Sequence, residues 1–172
     1  MALHHPERVE TLSLIMTSTG SMKVGRPTPH VMRMMASRAM GQTREEAMDG
    51  AVDTYRIIGS PDHLDEDLVR ELAGLSFDRS YDPGGAQRQL AAIMAQPDRT
   101  RALGKLQVPT LVVHGLADPL VTVSGGLAIA RAIPNATFIG HSGMGHDLPR
   151  TMWPSLRDDI VGLIGRNRRV AT

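Results

Sequence analysis

The chain has 172 residues, 41% apolar and 22% charged, with a formal net charge of +1. That is the composition of one ordinary globular domain with a core, and its near-neutral charge leaves no electrostatic footprint for nucleic acid. The absence of cysteine excludes disulfides, thiolate nucleophiles and thiolate metal ligands, and no apolar run approaches the roughly 18–20 residues of a membrane helix.

In chain order, the N-terminal Met1-Ala2-Leu3-His4-His5-Pro6 has no basic region followed by an apolar core, so no secretory signal is read and a cytoplasmic protein is expected. Leu3 to Pro6 looks like the end of a helix entering a strand, and Val9–Met16 is the first strand candidate, closed by the turn-rich Thr17-Ser18-Thr19-Gly20. Pro29 to Met40 has helical apolar spacing at Val31, Met34, Met35 and Ala39, ended by Gly41. Most methionines lie between Met16 and Met48, which suits either a Met-filled helix core or the wall of an apolar pocket. Thr43-Arg44-Glu45-Glu46 is a capping box opening a second helix that ends at Gly59-Ser60-Pro61. Leu64, Leu68, Leu72 and Leu75 mark a third helix; Asp82-Pro83, as N-cap and first-turn proline, predicts a fourth bearing Leu90, Ile93 and Met94.

The period changes after Leu106. Val108–Gly115 is a short continuous apolar run, as expected of a strand buried on both faces of a parallel sheet. A helix over Val123–Ile133 and a strand over Ala136–Ile139 complete a βαβ unit, and a last helix spans Pro154–Ile164. The basic cluster Arg166, Arg168 and Arg169 reads as a solvated tail. The expected architecture is an α/β protein with a parallel sheet of about three strands. Residues 1–20 and 105–172 form its core, and residues 21–104 form a helical cap inserted between two strands.

In open α/β sheets, ligands lie beyond the carboxyl ends of the strands. Asp118 follows one strand in the turn Gly115-Leu116-Ala117-Asp118-Pro119, and His146 follows the next in the loop His141–Asp147. One βαβ step separates them, so both turns open on one edge of the sheet. A carboxylate beside an imidazole there fixes the ring tautomer and steadies the imidazolium. The alternative for Asp118 is to cap the helix beginning near Leu120; for His146, to be a surface loop residue.

These segments resemble a known family. Val108–Val121 is similar to the strand-plus-acid signature of α/β-hydrolases, and Ile133-Pro134-Asn135-Ala136 with Gly143–Pro149 to the segment leading to their catalytic histidine. Tyr81–Ala86 with Arg88-Gln89-Leu90 resembles the cap of the subgroup containing bacterial esterases, lipase-like proteins and aclacinomycin methylesterase, while His4–Val9 resembles the helix after the nucleophile. The resemblance implies a truncated α/β-hydrolase, matched over its C-terminal half, with Asp118 as triad acid and His146 as base. It also implies a serine on a Gly-x-Ser-x-Gly elbow preceding the segment at His5, and no such motif occurs in this sequence.

Ser142, in Gly140-His141-Ser142-Gly143-Met144, is the nucleophile candidate within the chain. Ser18 is another, and a base-activated water is a third possibility. Ser142 and Ser18 also read as turn residues, and Ser124 as part of the crossover helix or its cap. His114, Asp118, His141, His146 and Asp147 match no familiar metal-ligand spacing, and no phosphate-binding glycine loop is found, so no cofactor is expected. The expected function is carboxylic ester hydrolysis of a small-molecule substrate, without nucleic acid or membrane partners. The alternatives are a catalytically silent folded fragment of such a hydrolase and a binding or assembly module for apolar ligands. A first strand with no neighbour on its far side predicts a homodimer or swapped assembly covering that edge.

Overall fold

The computed structural model of the chain describes residues 1–37 and 41–170. The expected helical positions Ala39 and Met40 lie outside them, as do the side chains of Arg168 and Arg169.

Among the described residues three strands form one sheet: β1 (Leu12–Ile15), β2 (Thr110–Gly115) and β3 (Thr137–His141), in the order β1-β2-β3. Both pairings are parallel, with Leu12 opposite Thr110 and Leu111 opposite Thr137. The central strand β2 is buried along its whole length, as its unbroken apolar run predicts. Its side chains alternate between two cores. Val112 joins Leu103, Leu106, Ile129 and Ile133 on one face, whereas Leu111 and Val113 join Met144, Leu156 and Leu163 on the other. The first face is covered by α5 (Thr100–Leu103) and α6 (Ser124–Ala132), the second by α7 (Trp153–Val170).

Ahead of β1, the N–H groups of His4 and His5 donate to the carbonyl of Met1, and a 3-10 turn over Pro6–Arg8 leads towards the strand. At the start of β1 and just past its end, the N–H groups of Leu12 and Met16 donate to the carbonyls of Pro109 and Val113 on the β2 side. By alternation the N–H groups of Ser13 and Ile15 point the other way, where no further strand lies among the described residues.

Between β1 and β2 come α1 (Pro29–Ser37), α2 (Arg44–Ile58), α3 (Glu66–Arg79) and α4 (Gly85–Met94). The capping box on α2 forms as predicted: Thr43 accepts from the N–H of Glu46, and the Glu46 carboxylate accepts from the N–H groups of Gln42 and Thr43. Helices α2 and α3 pack as a hairpin tied by Arg44 to Asp78 (2.9 Å), Arg56 to Glu66 (2.7 Å) and Arg70 to Asp49.

The fourth helix differs from expectation. Gly84, not Asp82, is its N-cap, because the Asp82 carboxylate is taken up by a turn, accepting from the Gly84 N–H and pairing with Arg88. The apolar side chains of this region are also more open than a helix core requires. Met32, Met35, Leu72, Leu75, Leu90, Ile93 and Met94 are all exposed, while Val31 and Val52 are buried. Of the methionines between Met16 and Met48, Met22, Met32 and Met35 are exposed and Met16, Met34 and Met48 half-buried, so none of those described is a buried core side chain. No helix among the described residues is long and apolar enough to cross a membrane.

Candidate active site

The carboxyl end of β2 delivers His114 and Gly115, and the chain turns at once, with the Asp118 N–H donating to the Gly115 carbonyl. The end of β3 delivers the loop that carries His146. The two loops are stitched together: the Leu116 N–H donates to the His141 carbonyl and the Ala117 N–H to the Met144 carbonyl. Glycine at 115 makes this approach possible, since a Cβ there would lie 2.3 Å from the Met144 carbonyl oxygen.

The approach brings Asp118 Oδ2 to 2.7 Å from His146 Nδ1. A carboxylate can only accept, so Nδ1 carries the proton and Nε2 is left with its lone pair. The other carboxylate oxygen, Oδ1, accepts from the N–H groups of Leu120 and Val121, each at 2.9 Å. The Asp118 side chain is 0% exposed, whereas that of His146 is 26% exposed. A buried, triply bonded acid thus holds an imidazole whose outer side meets solvent. The capping alternative for Asp118 survives in altered form: it closes the turn over 118–121, while α6 begins later, at Ser124, and the same carboxylate holds the histidine.

The sequence offers His114 only as an element of an unpersuasive metal set. In the fold it lies fully buried behind the pair, with Nε2 2.7 Å from the Val121 carbonyl and 3.7 Å from Asp118 Oδ2. A carbonyl only accepts, so Nε2 is protonated; Nδ1 has no hydrogen-bond partner among the described residues. No sequence spacing distinguishes such a residue from any other apolar-run histidine.

The remaining residues weighed as a metal set disperse. His141 Nε2 pairs with Asp159 at 2.8 Å, and the Asp147 carboxylate accepts from the Ser60 hydroxyl. Ser142 is exposed on the same loop as His146, and among the described residues its hydroxyl makes no hydrogen bond with that ring. The Ser18 hydroxyl accepts from the Gly20 N–H in the turn after β1, and the Ser124 hydroxyl accepts from the Gly25 N–H at the start of α6. A cavity of about 1300 Å³ lies elsewhere, lined by Leu12, Leu14, Leu103, Leu106 and Ile129, and includes neither Asp118 nor His146.

No family model matches the chain. It is 32% identical over 99 residues to a bifunctional esterase/perhydrolase of Acinetobacter calcoaceticus, covering 56% of this chain and 36% of that protein. It is 24% identical over 138 residues to a pimeloyl-[acyl-carrier protein] methyl ester esterase of Chromobacterium violaceum, covering 78% of this chain and 52% of that one. Among solved structures, the enol-lactonase of Burkholderia xenovorans LB400 superposes with a TM-score of 0.70 at 22% identity, over 95% of this chain and 59% of that chain. The chain therefore spans between about a third and 60% of the length of these relatives. Its fold is that of part of an α/β-hydrolase, and the relatives it matches are esterases of two kinds.

Proposed function

We propose that this α/β-hydrolase chain supplies the acid and base of a carboxylic ester hydrolase, with Asp118 as the acid and His146 as the base. The observation that carries the reading is the 2.7 Å bond from His146 Nδ1 to a carboxylate that is buried and doubly held by backbone N–H groups. In that arrangement the Nε2 lone pair takes a proton from a hydroxyl as its oxygen attacks the ester carbonyl. Asp118 steadies the imidazolium, and the Nε2 proton then passes to the departing alkoxide. With water as the attacking group, the sum is ester plus water to acid plus alcohol. With a serine, an acyl-enzyme forms first and water releases it by the same proton movements.

Ser142 is the nucleophile candidate within the chain, four residues from His146 in the same loop. Helices α1 to α4 act as a cap over the substrate, and a second copy of the chain covers the open side of β1. The competing reading is a folded but silent hydrolase part, favoured by the lack of any hydroxyl bonded to His146 Nε2 among the described residues. Hydrolysis of short p-nitrophenyl esters by the purified chain decides between them. Turnover abolished in His146→Ala supports the proposal, while no turnover, or turnover indifferent to that substitution, rejects it. A fluorophosphonate probe with peptide mapping assigns the attacking group: labelled Ser142 supports the serine route, and an unlabelled, active chain supports water.

A further inference from the structure

Three consecutive residues around the candidate base are bonded to one short segment at the end of a cap helix. The His146 N–H donates to the carbonyl of Ile58, the last residue of α2, at 2.7 Å. That carbonyl is one of the acceptors a helix terminus leaves without an internal partner. The Gly145 N–H donates to the Ser60 hydroxyl oxygen at 2.9 Å, and the Ser60 hydroxyl is 2.5 Å from Asp147 Oδ1. The carboxylate can only accept, so the single hydroxyl proton goes to Asp147 while a lone pair receives Gly145. Ser60 is 0% exposed and its bond from Gly145 is buried, while the bond to Asp147 is part-buried. The backbones meet so closely that a Cβ on Gly145 would lie 2.3 Å from the carbonyl carbon of Gly59.

We propose that Ser60 is a positioning residue for His146, and that through it the seating of the cap hairpin sets where the imidazole stands. The proposal rests on the reading of His146 as the base. The hydroxyl ties the residues before and after His146 to the α2–α3 connection, and Ile58 ties His146 itself. Displacement of α2 therefore pulls on the loop on both sides of the ring, whereas Asp118 is fixed independently by Leu120 and Val121. The distance that suffers is the one between Asp118 and His146. A cap that shifts as substrate enters would in this way change the alignment of the base.

The test follows the carbon-bound ring protons of His146 by NMR in the intact chain, assigned through His146→Ala. Ser60→Ala removes both bonds, Asp147→Ala removes the acceptor alone, and Asp147→Asn keeps an acceptor oxygen. The His146 ring signals are expected to move towards free-imidazole positions in Ser60→Ala and Asp147→Ala and to stay in place in Asp147→Asn. The double variant should shift them no further than Ser60→Ala alone. If ester turnover is present, the same two variants lower kcat roughly 10- to 100-fold with KM little changed. Lower melting temperature with unmoved ring signals overturns the proposal. Should Ser60→Ala fail to fold, the contrast between Asp147→Ala and Asp147→Asn decides the question in the same way. Failure of the esterase reading leaves the ring signals to be judged by themselves.

Discussion

Asp118 divides its carboxylate between two tasks: Oδ1 closes its own turn through Leu120 and Val121, and Oδ2 holds His146 Nδ1 at 2.7 Å. The first task fixes the acid regardless of the second, so the histidine is presented with an acceptor already in place. Asp118→Asn should keep the turn, because an amide oxygen still accepts there, but it can present an N–H to the ring and favour the wrong tautomer. Ester turnover is expected to fall roughly 10²–10⁴-fold with little change in melting temperature. Unchanged kcat/KM would remove Asp118 from the mechanism.

Gly115→Ala places a Cβ against the Met144 and Gly145 carbonyls, at 2.3 and 2.5 Å. Backbone cannot give way as a flexible side chain does, so the loops carrying Asp118 and His146 must part. A loss of about 1–3 kcal/mol in stability is expected by chemical denaturation, together with loss of turnover. A variant with native stability would show that the two loops are less tightly apposed than these distances require.

Leu111→Ala removes a fully buried side chain from the core shared with Met144 and Leu156. Stability should fall by about 2–5 kcal/mol, measured by urea titration. Because Met144 lies two residues before His146, the loss should reach the site as well as the core.

The α2–α3 hairpin should loosen in acid. The bonded guanidinium of Arg44 lowers the Asp78 carboxyl below its ordinary range, as Arg56 lowers that of Glu66; backbone N–H groups of Gln42 and Thr43 do the same for Glu46. For carboxyls depressed in the folded state, the contribution is present above the ordinary carboxylate range and disappears as pH falls through the lowered values. These groups are exposed, so the effect is modest and screened by salt. Amide exchange in α2 and α3 should quicken at pH 3 relative to β2, and Arg44→Ala should reduce the difference.

The open side of β1 gives an assembly prediction. Ser13 directs its N–H away from β2, so Ser13→Pro deletes a donor from that side without breaking the pairing already made. Light scattering should find the chain dimeric and the variant monomeric. A monomeric wild-type chain would end the proposal that a second copy covers this strand.

The sequence by itself determined the local elements and the two residues of the pair. The apolar run of β2, the Thr43–Glu46 box and the turn residues after each strand carry short-range signals, because strand burial, capping and turns depend on neighbours a few positions away. Asp118 and His146 were legible because one βαβ step brings successive strand ends to a common edge. What only the tertiary structure decided was which groups lie behind and beside that pair. The buried His114 facing the Val121 carbonyl, and Ser60 bonded to a loop more than 80 positions away, have no mark in local spacing. The N-cap of α4 moved for a related reason: the Asp82 carboxylate had a competing turn and a competing arginine, and their geometry settled its role. Periodicity reports which face of an element is apolar. Bonds between distant loops arise only when packing brings their backbones together, here where Gly115 and Gly145 leave room for it.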